Sequence, residues 1–192
     1  MTIIRRFLLM SDCSITDMDN QSLELSRPKA RKKRKKIIPT DIWKSLNDPL
    51  ARVIMGLQTE FGLTFKEAIL IKPHIQVREC SLWITRDIAF NSSDRTIPVR
   101  TENQKMILNL FNWLTQQHDN LLRLKSYEEI RIIWRSALAK HRLSSIKSWR
   151  YLYAKQMYTY LLPECRNYKT CLLIRDEMGI KSRNTLWTYL KN

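Results

Sequence analysis

Ten consecutive positions, Arg27-Pro28-Lys29-Ala30-Arg31-Lys32-Lys33-Arg34-Lys35-Lys36, carry eight cations and no carboxylate. Such a block repels itself and buries nothing, so it predicts a solvated arm whose chemistry is contact with phosphate. A second concentration of reactive side chains lies in the last quarter of the chain. Lys147-Ser148-Trp149-Arg150 is followed by tyrosines at 151, 153, 158 and 160, then by Met178-Gly179-Ile180, and then by Tyr189, nine residues after Ile180. Metal chemistry has less to work with. Cys13, Cys80, Cys165 and Cys171 form no pair at zinc-ligand spacing, and His74, His118 and His141 are scattered. The cysteines are expected to be buried, reduced thiols, with no metal ion or cofactor.

The charge balance agrees with the arm. A net +16 and a pI near 10.0 call for a polyanionic partner, nucleic acid first, anionic membrane second and acidic protein third. The arm supplies half of that surplus, so the remainder, at +8, is itself basic. A chain of 192 residues with 44% hydrophobic residues is long and apolar enough for one domain with a core. Near the N-terminus, Phe7-Leu8-Leu9-Met10 follows two arginines and is too short for a signal-peptide core or a bilayer span. The expectation is a soluble cytoplasmic protein with no membrane partner, nucleoid-associated if its host is bacterial. Ser11 to Ser26 is polar, acidic and without period, so residues 1–36 are expected to be a disordered basic arm and residues 37–192 the folded domain.

Within that domain Asp48-Pro49 reads as an N-cap followed by proline at the first helical position. The spacing predicts a helix over Pro49 to Phe61 with Leu50, Val53, Ile54 and Leu57 as its apolar stripe and Gly62 as its stop. Thr64 and Glu67 form a capping-box pattern for a helix over Phe65 to Ile71, which Pro73 stops. Short β-branched and aromatic runs at Ile75 to Val77, Ser81 to Thr85 and Thr96 to Val99 predict a small antiparallel sheet with a turn near Asn91-Ser92-Ser93-Asp94. Five helices follow: Thr101 to Gln117, one carrying Tyr127, Ile130, Trp134 and Ala137, then Ser148 to Leu162, Lys169 to Met178 and Thr185 to Leu190. The fold class is α+β, mostly α, with no internal repeat.

This order and four short motifs resemble the catalytic domain of the tyrosine recombinase (phage integrase) family, over about Leu46 to Asn192. Gly62-Leu63-Thr64-Phe65-Lys66-Glu67-Ala68-Ile69-Leu70 is similar to the family's Gly-Leu-Arg and the Ser/Thr-x-x-Glu helix after it. Arg95-Thr96-Ile97-Pro98-Val99 is similar to the end of its hairpin, Lys147-Ser148-Trp149-Arg150-Tyr151 to its His-x-Leu-Arg-His helix start, and Met178-Gly179-Ile180 with Tyr189 to its Leu-Gly-His and nucleophilic tyrosine. The resemblance implies DNA cleavage without metal or cofactor. In that chemistry a tyrosine oxygen attacks a phosphodiester, links to the 3′ phosphate and releases a 5′ hydroxyl, helped by two arginines, two histidines and a hairpin lysine.

Carried over by position, Arg150 is the second arginine, Tyr189 the nucleophile and Lys147 stands at the first histidine. Thr64 occupies the first arginine position, Phe90 lies near the hairpin lysine position and Ile180 occupies the second histidine position. Losing one such donor costs about a hundred- to a thousand-fold in rate, and three are absent here. The expectation is therefore a DNA-binding, catalytically degraded relative, an accessory or regulator of recombination and integration in a mobile genetic element. It would hold double-stranded DNA through Lys147, Arg150 and the arm residues Arg27, Lys29, Arg31, Lys32, Lys33, Arg34, Lys35 and Lys36. A full-length recombinase or a second copy is the expected protein partner, since too few residues precede the first helix to form the family's core-binding domain.

Other readings remain open: an active recombinase using Tyr189, a protein-interaction module on the same fold, and RNA binding by stacking on the tyrosines. For Arg150 the competing role is an ion pair with Glu177 or Asp176, and for Tyr189 a core aromatic.

Overall fold

Asp48 opens the first long helix as its position predicts: its Oδ1 accepts from the Ala51 N–H at 2.9 Å, and Pro49 stands at the first helical position. The computed structural model describes residues 38–116 and 119–191, which fall within one unit spanning Ile38–Asn192. The arm positions Arg27 to Lys36 lie outside the described residues, as do Cys13 and His118.

Helix α1 (Pro49–Phe61) is the centre of the fold. Eleven of its thirteen residues are buried, so the expected single stripe of Leu50, Val53, Ile54 and Leu57 understates it. Gln58 and Glu60 on its flanks and Thr59 opposite it are enclosed as well. The helix ends where Gly62 takes φ 63° and sends its N–H back to Leu57 O. A side chain there would be strained, and its Cβ would meet Tyr153 Cδ1 at 2.6 Å.

Thr64 caps α2 (Phe65–Leu70) with a complete capping box. Pro73 then starts a helix rather than merely stopping one. It opens α3 (Pro73–Gln76), in which the Gln76 Oε1 reaches back to accept from Lys72 N at 2.6 Å. Ile75 and Gln76 are therefore helical, not the expected strand, and the sheet begins only at β1 (Val77–Arg78). β2 (Ser81–Ile84) and β3 (Arg95–Pro98) complete an antiparallel sheet in the order β1-β2-β3, with Leu82 opposite Ile97 and Ile84 opposite Arg95. Leu82, Ile84 and Ile97 face the core, and the alternation puts Arg95 on that same buried face.

Six helices follow: α4 (Glu102–Leu114), a single turn α5 (Leu121–Leu124), α6 (Tyr127–Lys140), α7 (Arg150–Leu161), α8 (Asn167–Glu177) and α9 (Arg183–Lys191). Five were expected. The additional one, α5, is capped by Asn120 and is too short to show a hydrophobic period. α4, α6 and α7 pack around α1, while α9 lies against α7 and α8. The α+β, mostly α class is observed. Tyr151 and Tyr153 are core residues, whereas Tyr160 and Tyr168 are exposed. Of the cysteines, Cys171 is buried but Cys80 is exposed, because it sits in the two-residue turn between β1 and β2. Among the described residues no helix is long and apolar enough to cross a membrane.

Glu60 makes the enclosed polar side of α1 testable. Its Oε1 accepts from Trp43 Nε1 at 3.0 Å, and its Oε2 has no partner among the described residues. Burial raises its pKa above 4.5, opposed by Trp43 and Gln156. The folded state therefore binds more protons than the unfolded chain just above that pH, so stability falls as pH climbs from the ordinary carboxylate range to the raised value and is flat beyond. Urea titrations from about pH 4 to about pH 7 should show Glu60→Gln gaining on the parent as pH rises. A stability difference independent of pH would show that Glu60 is not a buried acid.

Candidate nucleic-acid interface

Arg150 begins α7 almost fully enclosed, at 4% exposure. Its Nε donates to Gly62 O at 2.5 Å, and its Nη2 donates to Met178 O. Those oxygens belong to the residues that terminate α1 and α8, where carbonyls lack helical partners and the helix dipole is negative. The guanidinium also lies 4.9 Å from the Phe90 ring centre and 5.7 Å from that of Tyr189. Burial pushes its pKa down, opposed first by the Tyr189 oxygen and then by Glu67, and an arginine so placed still carries its charge at neutral pH.

The competing ion pair for Arg150 is not made. Glu177 is bound by Arg100, at 2.5 Å, and by the Tyr153 hydroxyl, at 2.7 Å. Burial first, and Glu177 second, raise the Tyr153 pKa well above its usual value, so the phenol stays a donor. Asp176 pairs with its neighbour Arg175. Three consecutive carbonyls at the end of α8 are instead capped from three directions: Glu177 O by Arg95 Nε, Met178 O by Arg150 and Gly179 O by Asn91 Nδ2.

The three positions that depart from the recombinase pattern have other work. The Thr64 hydroxyl accepts from Glu67 N and donates to Glu67 Oε2 at 2.9 Å, so it is consumed by the capping box. Phe90, 48% exposed, presents its ring to the guanidinium groups of Arg95 and Arg150. Ile180 is buried. Glu67 is fully enclosed yet well paired: Oε2 accepts from Thr64, and Oε1 accepts from Phe90 N and from Arg95 Nη2 at 2.7 Å.

In front of this framework is a cleft of about 480 Å³. Lys147 and Arg150, together with Thr64 and Tyr189 from distant parts of the chain, all line it. Tyr189 is half-buried and packs against the core, so it is both a packing aromatic and part of the cleft wall. Lys147, with its Nζ 4.1 Å from the Tyr151 ring centre, is also half-buried.

Sequence reading missed the rest of the lining, notably Gln58, Trp134, Arg131 and Arg135. A signal was present, because Tyr127, Arg131, Trp134 and Arg135 recur at the spacing of one helical face. That face is not the apolar stripe expected from Tyr127, Ile130, Trp134 and Ala137: Ile130, Trp134 and Ala137 are buried, whereas Tyr127 is 46% exposed. The ion pair of Arg131 is an exposed contact with Glu128, 3.2 Å away, which is worth little. Four cations thus line the cleft, and the described residues lining it include no carboxylate. No group of three or more acidic, cysteine or histidine side chains among the described residues is placed to hold a metal ion.

Compared with known proteins, the chain matches no family model, and no curated protein matches it either.

Removing Arg150 strips partners from two helix ends at once. Since buried hydrogen bonds from a charged group contribute about 1.5–3 kcal/mol each, Arg150→Ala should destabilise the domain by about 3 kcal/mol or more in urea titration. A loss under about 1 kcal/mol would mean that the two carbonyls do not depend on it.

Proposed function

We propose that this protein binds DNA through the cleft, as a relative of the tyrosine recombinases that lacks their full catalytic set. The observation that carries this reading is the convergence of Lys147, Arg131, Arg135 and Arg150 around one opening without a lining carboxylate among the described residues. A concentration of cations in a concave, partly enclosed surface focuses potential and attracts a polyanion. The four motifs shared with the recombinases support the DNA assignment, and the position of Tyr189 beside Arg150 is consistent with it. The absence of a cation at Thr64, of a lysine near Phe90 and of a donor at Ile180 argues against efficient cleavage. On this reading the protein acts as an accessory or regulator of recombination, with the basic segment Arg27 to Lys36 adding contacts to phosphate.

The test is duplex affinity against salt for the full chain. Each phosphate contact contributes about 0.9 to the log–log slope, so replacing Arg131 and Arg135 together with alanine should weaken binding and lower the slope by about two. An unchanged slope and affinity would remove the cleft from the interface and leave any binding to the basic segment.

A second reading, strand cleavage through Tyr189, is favoured by one observation only, the placement of that residue in the cleft wall next to Arg150. Incubation with nicked duplex and denaturing electrophoresis should reveal no covalent protein–DNA adduct. An adduct that vanishes in Tyr189→Phe would establish an active recombinase instead.

A further inference from the structure

Gln58 is the unexplained group in the cleft. It projects from α1, is only 3% exposed, and its Nε2 has no hydrogen-bond partner among the described residues. An enclosed amide without partners costs free energy, and a leucine of similar size would avoid that cost. Gln58 lies four residues, about 6 Å of helix rise, before Gly62, whose carbonyl holds Arg150. Around the amide the cleft is aromatic. Phe65 lies against Trp134, with ring centres 5.7 Å apart, and against Tyr127, 6.4 Å apart. Tyr127 carries the Arg131 guanidinium 5.6 Å above its ring.

Phosphate contact alone explains the cations but neither the aromatic wall nor the orphaned amide. We infer that the cleft receives one unpaired nucleotide of a DNA strand, with its phosphate on the cationic side at Arg150 and Lys147 and its base against Tyr127 and Arg131. The Gln58 side chain, which lines the cleft with its Nε2 closed off in the free protein, then turns its amide to donate to an acceptor on the base edge. Aromatic rings and arginine planes are the surfaces on which unstacked bases lie, and every base presents both a face and an acceptor. A paired base within duplex presents neither its face nor its pairing edge. This inference rests on the proposed DNA binding, and it assigns the cleft to a distorted or frayed site rather than to regular duplex.

The experiment compares three labelled DNAs of equal phosphate number by fluorescence anisotropy with the full chain: a regular duplex, one with a single extrahelical nucleotide, and one with an abasic residue at that extrahelical position. Contacts made by the basic segment and by phosphates are shared and cancel. The extrahelical nucleotide should bind about ten-fold more tightly than its abasic counterpart, in line with the contribution of base–aromatic stacking. Tyr127→Ala, an exposed position, and Gln58→Leu, which removes an unbonded amide without loss of volume, should each reduce that preference several-fold while thermal stability holds.

Equal affinity for the extrahelical and abasic DNAs overturns the inference and leaves duplex binding standing. So does a preference that both folded variants retain. If none of the three DNAs binds at low salt, both the inference and the proposed function fail.

Discussion

Arg150 ties together the ends of two helices that meet where Met178 packs beside Gly62. α1 and α8 both stop in a glycine region with positive φ, at Gly62 and Gly179, and both turn carbonyls toward the start of α7. A helix C-terminus leaves its last carbonyls without partners, and two such ends facing one another would repel. A single planar guanidinium with five N–H groups relieves both, which a lysine ammonium could not do with the same geometry. The charge has no directly bonded carboxylate. It rests on two negative dipole ends, two ring faces and the enclosed Glu67 nearby. The start of α7 and the Tyr189 ring of α9 meet at this tie in the cleft wall.

The carboxylates behind the cleft follow from the same constraint. Glu67 and Glu177 are each saturated by donors, the first by Thr64, Phe90 and Arg95, the second by Arg100 and Tyr153. A buried carboxylate with a missing donor would be costly, and one with spare capacity would draw the cleft cations inward. Saturation does neither. It also accounts for Thr64 and Phe90: a residue that caps α2 and binds Glu67, and a ring that lies beside two guanidinium groups, serve the framework where the recombinase resemblance would place charge.

The local signals were legible because they are local. Asp48 with Pro49, Gly62, and Thr64 with Glu67 each complete their hydrogen bonds within a few residues, so the bounds of α1 and the start of α2 could be read directly. Pro73 was misread because it stops one helix and starts another, and only Gln76 reaching back to Lys72 distinguishes the cases. The cleft was legible in part. Lys147, Arg150 and Tyr189 could be named by resemblance, but the partners of Arg150 are backbone oxygens, which no side-chain pattern announces. Gln58 was hidden for a different reason. At i+4 from Ile54 it sits on the flank of the stripe, where a polar side chain reads as reaching water, and its burial depends on α4, α6 and α7 closing around α1 from separate parts of the chain.

A cleft lined by four cations requires a reason, since the same chain meets its other buried arginines with carboxylates. Arg95 meets Glu67 and Arg100 meets Glu177, both enclosed, and the more exposed Arg175 meets Asp176. Arg131, Arg135, Lys147 and Arg150 share a cleft to which those carboxylates do not extend. If the positive surplus served solubility alone, it would be spread over the exposed surface, where like charges repel least. Gathering it at a concave wall beside aromatic rings and an unbonded amide raises the self-repulsion of the free protein. An anionic ligand with an apolar face and a hydrogen-bond acceptor relieves all three costs together, and a nucleotide has each of these features.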